Sequence, residues 1–103
     1  MNHKELLFGT AGAPYSSAKS TTIEGIRRVK ELGLGCMEIE FVRGVKMGTN
    51  SAREVQKIAT SENIALSVHA PYYINLNSPD PEKIDASIKR IYDSALIGST
   101  CGA

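Results

Sequence analysis

Apolar and polar positions along the chain fall into three repeats of the same plan. Leu6-Leu7-Phe8 is a short apolar run, followed by a loop rich in Gly, Ala, Ser and Pro over Gly9 to Lys19. Thr21 with Glu24 three residues on reads as a capping box. Ile23, Ile26 and Val29 give helical spacing, and Gly33 and Gly35 supply the stop. In the second repeat Met37-Glu38-Ile39-Glu40-Phe41 alternates strictly and predicts a strand. A loop from Val42 to Asn50 follows, holding Arg43, Lys46 and Gly48. Ser51 and Glu54 suggest another capping box, with Val55, Ile58 and Ala59 facing a core and Asn63 suited to a left-handed helix end. The third repeat opens with the apolar run Ile64 to Val68, continues through the loop headed by His69, and enters a helix near Pro81. Asp80 before Pro81 is a good N-cap, because proline forces the preceding residue into the extended region and itself suits the first helical turn. Ile84, Ile88, Ile91 and Ala95 make the expected apolar stripe of that helix, which is predicted to end near Gly98.

Strand starts thus recur about every 30 residues, the length of a βα unit. Alternating β and α segments with long loops after each strand imply an α/β fold with a parallel sheet, in units of about 5–34, 35–63 and 64–103. Three such units leave two open sheet edges and cannot close a barrel, which needs about eight strands. The expectation is therefore a partial TIM barrel: a single incomplete domain over 1–103, the first three βα units of a parallel (β/α)8 barrel.

Within this frame the alternation sorts side chains by face. Glu38 and Glu40 share a face opposite Met37, Ile39 and Phe41, and Ser67 and His69 share a face opposite Leu66 and Val68. Helices outside a barrel cover the apolar face, so the polar one points inward, with Glu40 and His69 on neighbouring strands near the carboxyl rim, where barrel chemistry collects. A carboxylate beside an imidazole can co-ligate a metal or hold the histidine tautomer; a solvated Glu40 and a hydrogen-bonded core His69 are the alternative. Tyr72 and Tyr73 can stack on bases or wedge between them, or pack the loop onto the rim. Arg43 and Lys46 can meet phosphates or remain solvated. His3, in a polar terminus, reads as surface. The Gly9-Thr10-Ala11-Gly12-Ala13-Pro14 loop has no dinucleotide or P-loop spacing followed by Lys and reads as a flexible rim loop.

Composition narrows the classes. The 103 residues suffice for one small domain, and apolar (42%) and charged (22%) contents are ordinary for a globular protein. A net charge of +1 gives no global field to recruit nucleic acid, so any such contact must be local. No apolar run approaches the roughly 20 residues of a membrane span, and Met1 to Glu5 lack a signal-peptide core, so a cytoplasmic protein is expected. Cys36 and Cys101 form no CxxC motif and read as reduced structural thiols.

The segment HAPYYINLNSPDPEK closely resembles the region after the third strand in the endonuclease IV family of apurinic/apyrimidinic endonucleases, within the xylose-isomerase-like group of TIM barrels. The resemblance is specific over about Ser67 to Asp93 and looser over the first two units. The pairing of FGTAGAP with MEIEFVRG looks like archaeal-type relatives. It implies a parent that hydrolyses the DNA phosphodiester 5′ to an abasic nucleotide with a trinuclear zinc site. His69 would be a zinc ligand and Tyr72 part of a loop inserted at the lesion in damaged double-stranded DNA. Tyr73 stands where the family usually has an aliphatic wedge, and Arg43 is the candidate DNA contact by position. After the first strand the family commonly has a Gly-Ala-His-Val-Ser type segment; Gly9-Thr10-Ala11-Gly12 lacks that histidine. The family's other ligands lie on later strands, so the 103 residues alone are expected to be inactive. Catalytic residues stay unassigned, Glu40 being the candidate. A metal-dependent sugar isomerase or epimerase of the same superfamily, and a non-catalytic fragment, are the other readings. Oligomeric state is open.

Overall fold

A computed structural model describes residues 5–103. His3, expected at the surface, lies outside the described residues. The order is β1 (Gly9–Ala11), α1 (Thr22–Glu31), β2 (Cys36–Glu40), α2 (Thr49–Glu62), β3 (Ala65–His69) and α3 (Pro81–Thr100). The strands form one parallel sheet in the order β1-β2-β3. This is the α/β architecture of a partial TIM barrel.

Most of the local expectations have a visible cause. The Thr21 hydroxyl accepts the Glu24 N–H at the start of α1, and Gly33 leaves the helix at φ 76°. Asp80 accepts the Glu82 N–H with Pro81 in the first turn of α3, and Asn63 closes α2 in the left-handed region. Met37, Ile39 and Phe41 are buried in one cluster with Ile26, Val29, Val55, Ala59 and Ile64, so β2 buries the predicted face. Ile58 is only partly buried, packed against that cluster. Both cysteines are free thiols; Cys101 is buried, its Sγ 3.5 Å from Met47 Sδ, and desolvation pushes its pKa up.

Three expectations are corrected. The first strand is Gly9–Ala11 and not Leu6-Leu7-Phe8; Leu6 and Phe8 are largely exposed. The sheet pairs at Gly9 because a Cβ there would stand 1.8 Å from the Cys36 carbonyl oxygen, so only glycine permits this approach. Helix α2 begins at Thr49 behind Gly48, not behind a Ser51–Glu54 box: Gly48 is extended and makes no side-chain cap, and its carbonyl receives the Ala52 N–H. The buried face of α3 is not its apolar stripe. Ser87, Ser94, Ile97 and Gly98 face inward, whereas Ile88, Ile91 and Ala95 are exposed and Ile84 is only partly buried. Small residues let the helix close on the sheet: a Cβ at Gly98 would lie 2.9 Å from Val68 Cγ2. The two buried serines satisfy their hydroxyls on the Lys83 and Arg90 carbonyls one turn back. Helix α3 also runs past Gly98, capped at Cys101.

Candidate functional site

Parallel pairing in register places Glu38 beside Ser67 and Glu40 beside His69. Neighbouring strands lie about 4.8 Å apart, so Glu40 and His69 are adjacent at the carboxyl end of the sheet. Pairing continues beyond the strands. The Phe41 N–H donates to the His69 carbonyl at 2.9 Å and the Tyr72 N–H to the Val42 carbonyl at 3.2 Å. The loop carrying the tyrosines is therefore tied to the loop carrying Arg43.

The imidazole of His69 is held in one tautomer. Its Nδ1 lies 2.6 Å from the Ala70 carbonyl oxygen, which can only accept, so Nδ1 is the donor there and Nε2 is the ring nitrogen left for a ligand. The Tyr72 ring meets this imidazole edge to face, centroids 5.4 Å apart and planes at 75°. Tyr72 and Tyr73 both remain more than half exposed, at 69% and 56%. The guanidinium of Arg90 lies over the Tyr73 ring.

Glu40 is the perturbed acid of the site. A hydrogen bond shared with the Glu38 carboxyl raises its pKa most, burial and repulsion from the Glu38 charge raise it further, and His69 opposes them. Its Oε1 is buried without a hydrogen-bond partner. The two carboxyls line a cavity of about 370 Å³ with Gly12, Phe41, Arg43 and Lys46. His69, Tyr72 and Tyr73 do not line it. The residues singled out in the sequence thus form two adjoining groups, Glu40 with Arg43 and Lys46, and His69 with Tyr72, which meet where Glu40 stands beside His69. Sequence reasoning missed Ser87 and Arg90, which hold the aromatic loop from α3. The available signal was the small-residue spacing Ser87, Ser94 and Gly98, which marks that face of α3 as the one turned toward the sheet and its loop.

Toward a metal ion, the free Nε2 of His69 fits one ligand position, and the unpartnered Glu40 oxygen is the adjoining carboxyl donor. Among the described residues no group of three His, Cys, Asp or Glu side chains converges to hold an ion. No described helix is long and apolar enough to cross a membrane.

Comparison with known proteins agrees with this arrangement. The chain is 41% identical over 97 residues to the uncharacterized protein MJ0133 of Methanocaldococcus jannaschii, an alignment that covers 94% of this chain and 34% of that protein. The chain therefore spans about a third of the length of the curated relative it matches. Residues 26–103, which include β2, β3, both rim loops and α3, match the family described as xylose isomerase-like TIM barrel. With three parallel βα units in register and the match running through two of them, the chain belongs to the xylose isomerase-like TIM barrel family.

Proposed function

We propose that this chain supplies the first three βα units, a metal ligand and the lesion-reading loop of a zinc-dependent apurinic/apyrimidinic endonuclease that hydrolyses the DNA phosphodiester 5′ to abasic sites. The observation that carries the reading is the contact between His69 and Tyr72: a strand-end imidazole with a free Nε2 touches an exposed aromatic ring on the loop that follows it. An exposed ring beside a ligand suits a substrate in which a missing base leaves room for a side chain.

In this mechanism each residue has a bounded role. His69 would hold a zinc ion through Nε2, its orientation fixed by the Ala70 carbonyl. Zinc, when bound, activates water and stabilises the leaving oxygen of a phosphodiester. Tyr72 and Tyr73 fill the gap left by the lost base, and Arg43 contacts the backbone from the second rim loop. Glu40, with its raised pKa, holds a proton next to His69 more readily than an ordinary glutamate. Zinc sites use about four ligands, so the remaining donors come from residues beyond these three units.

Fluorescence anisotropy tests the reading. The chain is expected to bind a duplex with a tetrahydrofuran abasic analogue more tightly than the intact duplex. Tyr72→Ala is expected to remove that preference, at a cost of about 1–3 kcal/mol for one stacking residue, with the far-UV circular dichroism unchanged. Equal binding of both duplexes contradicts the proposal.

One observation favours a second reading. Two neighbouring carboxyls beside a cavity of about 370 Å³, the pKa of Glu40 raised by Glu38 and by burial, suit proton transfer next to a carbonyl, as in a metal-dependent sugar isomerase or epimerase. Saturable binding of a keto-sugar, lost in Glu40→Gln and accompanied by no abasic preference, would favour that activity.

A further inference from the structure

The aromatic loop after β3 is fastened to α3 at two points. The Asn75 N–H donates to Ser87 Oγ at 2.9 Å, and the Ser87 hydroxyl donates to the Lys83 carbonyl at 2.8 Å. Ser87 is 1% exposed, so the α3 side of this joint is buried, while Asn75 itself is exposed. Three residues on, one turn along the same helix face, the Arg90 guanidinium lies over the Tyr73 ring, 5.6 Å from its centroid. The ion pairs of the described residues are Arg27–Glu24, Arg28–Glu31 and Lys89–Asp93, and none of them involves Arg90.

Two consequences follow from arginine chemistry. A guanidinium over a phenol ring attracts the ring's electron-rich face and limits its rotamers, so Arg90 covers one side of Tyr73 and leaves the other open. A cation–π contact of this kind uses no hydrogen bond, so the five N–H donors of the guanidinium are left for other partners. With no carboxylate engaged, these donors form a planar fork suited to a bidentate phosphate. An exposed ring with one free face and an unpaired fork behind it match neighbouring parts of one ligand, a base or abasic gap and the phosphate next to it.

We propose that Arg90 positions Tyr73 and binds a backbone phosphate of the nucleic acid that Tyr73 meets. The assignment rests on the DNA reading above. Arg90 is a positioning and substrate-contact residue of the β3–α3 loop and takes no part in bond cleavage.

The test uses the whole chain with the abasic-analogue duplex, measured by anisotropy across a sodium chloride series. It compares the wild type with Arg90→Gln, Arg90→Lys and Tyr73→Ala. Each phosphate contact contributes about 0.9 to the slope of log affinity against log salt. Arg90→Gln is expected to lose about that much slope and to bind several-fold more weakly at low salt. Arg90→Lys keeps the charge and is expected to keep the slope. In the free protein, the Tyr73 ring protons are expected to shift in both Arg90 variants, because lysine lacks the flat face, while circular dichroism stays native. Tyr73→Ala is expected to weaken binding at unchanged slope. If the wild type binds but Arg90→Gln keeps its slope, the phosphate assignment fails and the DNA reading stands. If the Tyr73 ring shifts do not move, the positioning assignment fails. If the wild type shows no salt-dependent binding, the DNA reading fails and takes the phosphate assignment with it.

Discussion

On one side of the sheet β2 and the residue after it present Met37, Ile39 and Phe41, each at most 4% exposed; on the other β2 presents Glu38 and Glu40, partly open and beside Ser67 and His69 of β3. The same five-residue strand therefore serves two ends. Side chains one residue apart point to opposite faces, so one register fixes both the core and the chemistry. The helix-covered face joins Ile26, Val29 and Val55 in one cluster, where truncation leaves a void. The polar face keeps a carboxyl with a buried, unpartnered oxygen, which is unfavourable for stability alone, beside the imidazole of His69. The difference teaches that the residues of the core and those of the proposed site can be varied separately along one strand.

Breaking the core side is expected to have the largest effect. Ile39→Ala removes a buried side chain from the middle of β2 and is expected to cost about 2–5 kcal/mol in urea unfolding. If the cost were instead close to that of an exposed substitution, the cluster would not be the stabilising side.

Next is the contact between α3 and the sheet. Gly98→Ala places a methyl against Val68 Cγ2 and is expected to destabilise by about 1–3 kcal/mol, since overpacking must push helix and strand apart. Ile88→Ser, on the exposed side of the same helix, is expected to change the urea midpoint of this chain little. A reversed order would restore the apolar stripe as the buried face.

The smallest effect belongs to the polar side and has a sign set by pH. Glu40 holds its proton in the folded state above the ordinary value of 4.5, mainly through the hydrogen bond with Glu38. The folded chain then binds more protons than the unfolded one, so this group's contribution to stability falls as pH rises from about 4.5 through the raised value. Glu40→Gln cannot titrate. Its unfolding midpoint is expected to match the wild type near pH 4 and to exceed it modestly at pH 7. The gain is small because Glu40 is partly exposed and water screens its neighbours. A variant less stable than the wild type at pH 7 would mean that the ionised Glu40 stabilises the fold.

The comparison also explains what could be read from the sequence. Features that depend on side-chain character were legible: the alternation of β2, the caps at Thr21 and Asp80, the left-handed Asn63, and the meeting of Glu40 with His69 at neighbouring strand ends. Features that depend on a missing side chain were not. Gly9 and Gly98 succeed because they lack a Cβ, which hydropathy does not register, so hydropathy points to Leu6-Leu7-Phe8 for the first strand and to the isoleucines for the buried face of α3. Gly48 starts α2 without any capping side chain, whereas Ser51 and Glu54 match the capping pattern and lie inside the first turns. The pairing of Arg90 with Tyr73 depends on the path of the loop from β3 to α3, which local spacing does not specify.

The central claim is that the polar face presents a preoriented metal ligand at His69. Long-range ¹H–¹⁵N correlation of the histidine rings, recorded at neutral pH while zinc is titrated into the chain, tests it most directly. The account predicts that His69 is protonated at Nδ1 with a bare Nε2 before zinc, that its Nε2 resonance moves on adding zinc, and that the Tyr72 ring signals move with it. An Nε2-protonated His69, or a His69 resonance that zinc leaves in place, would contradict it.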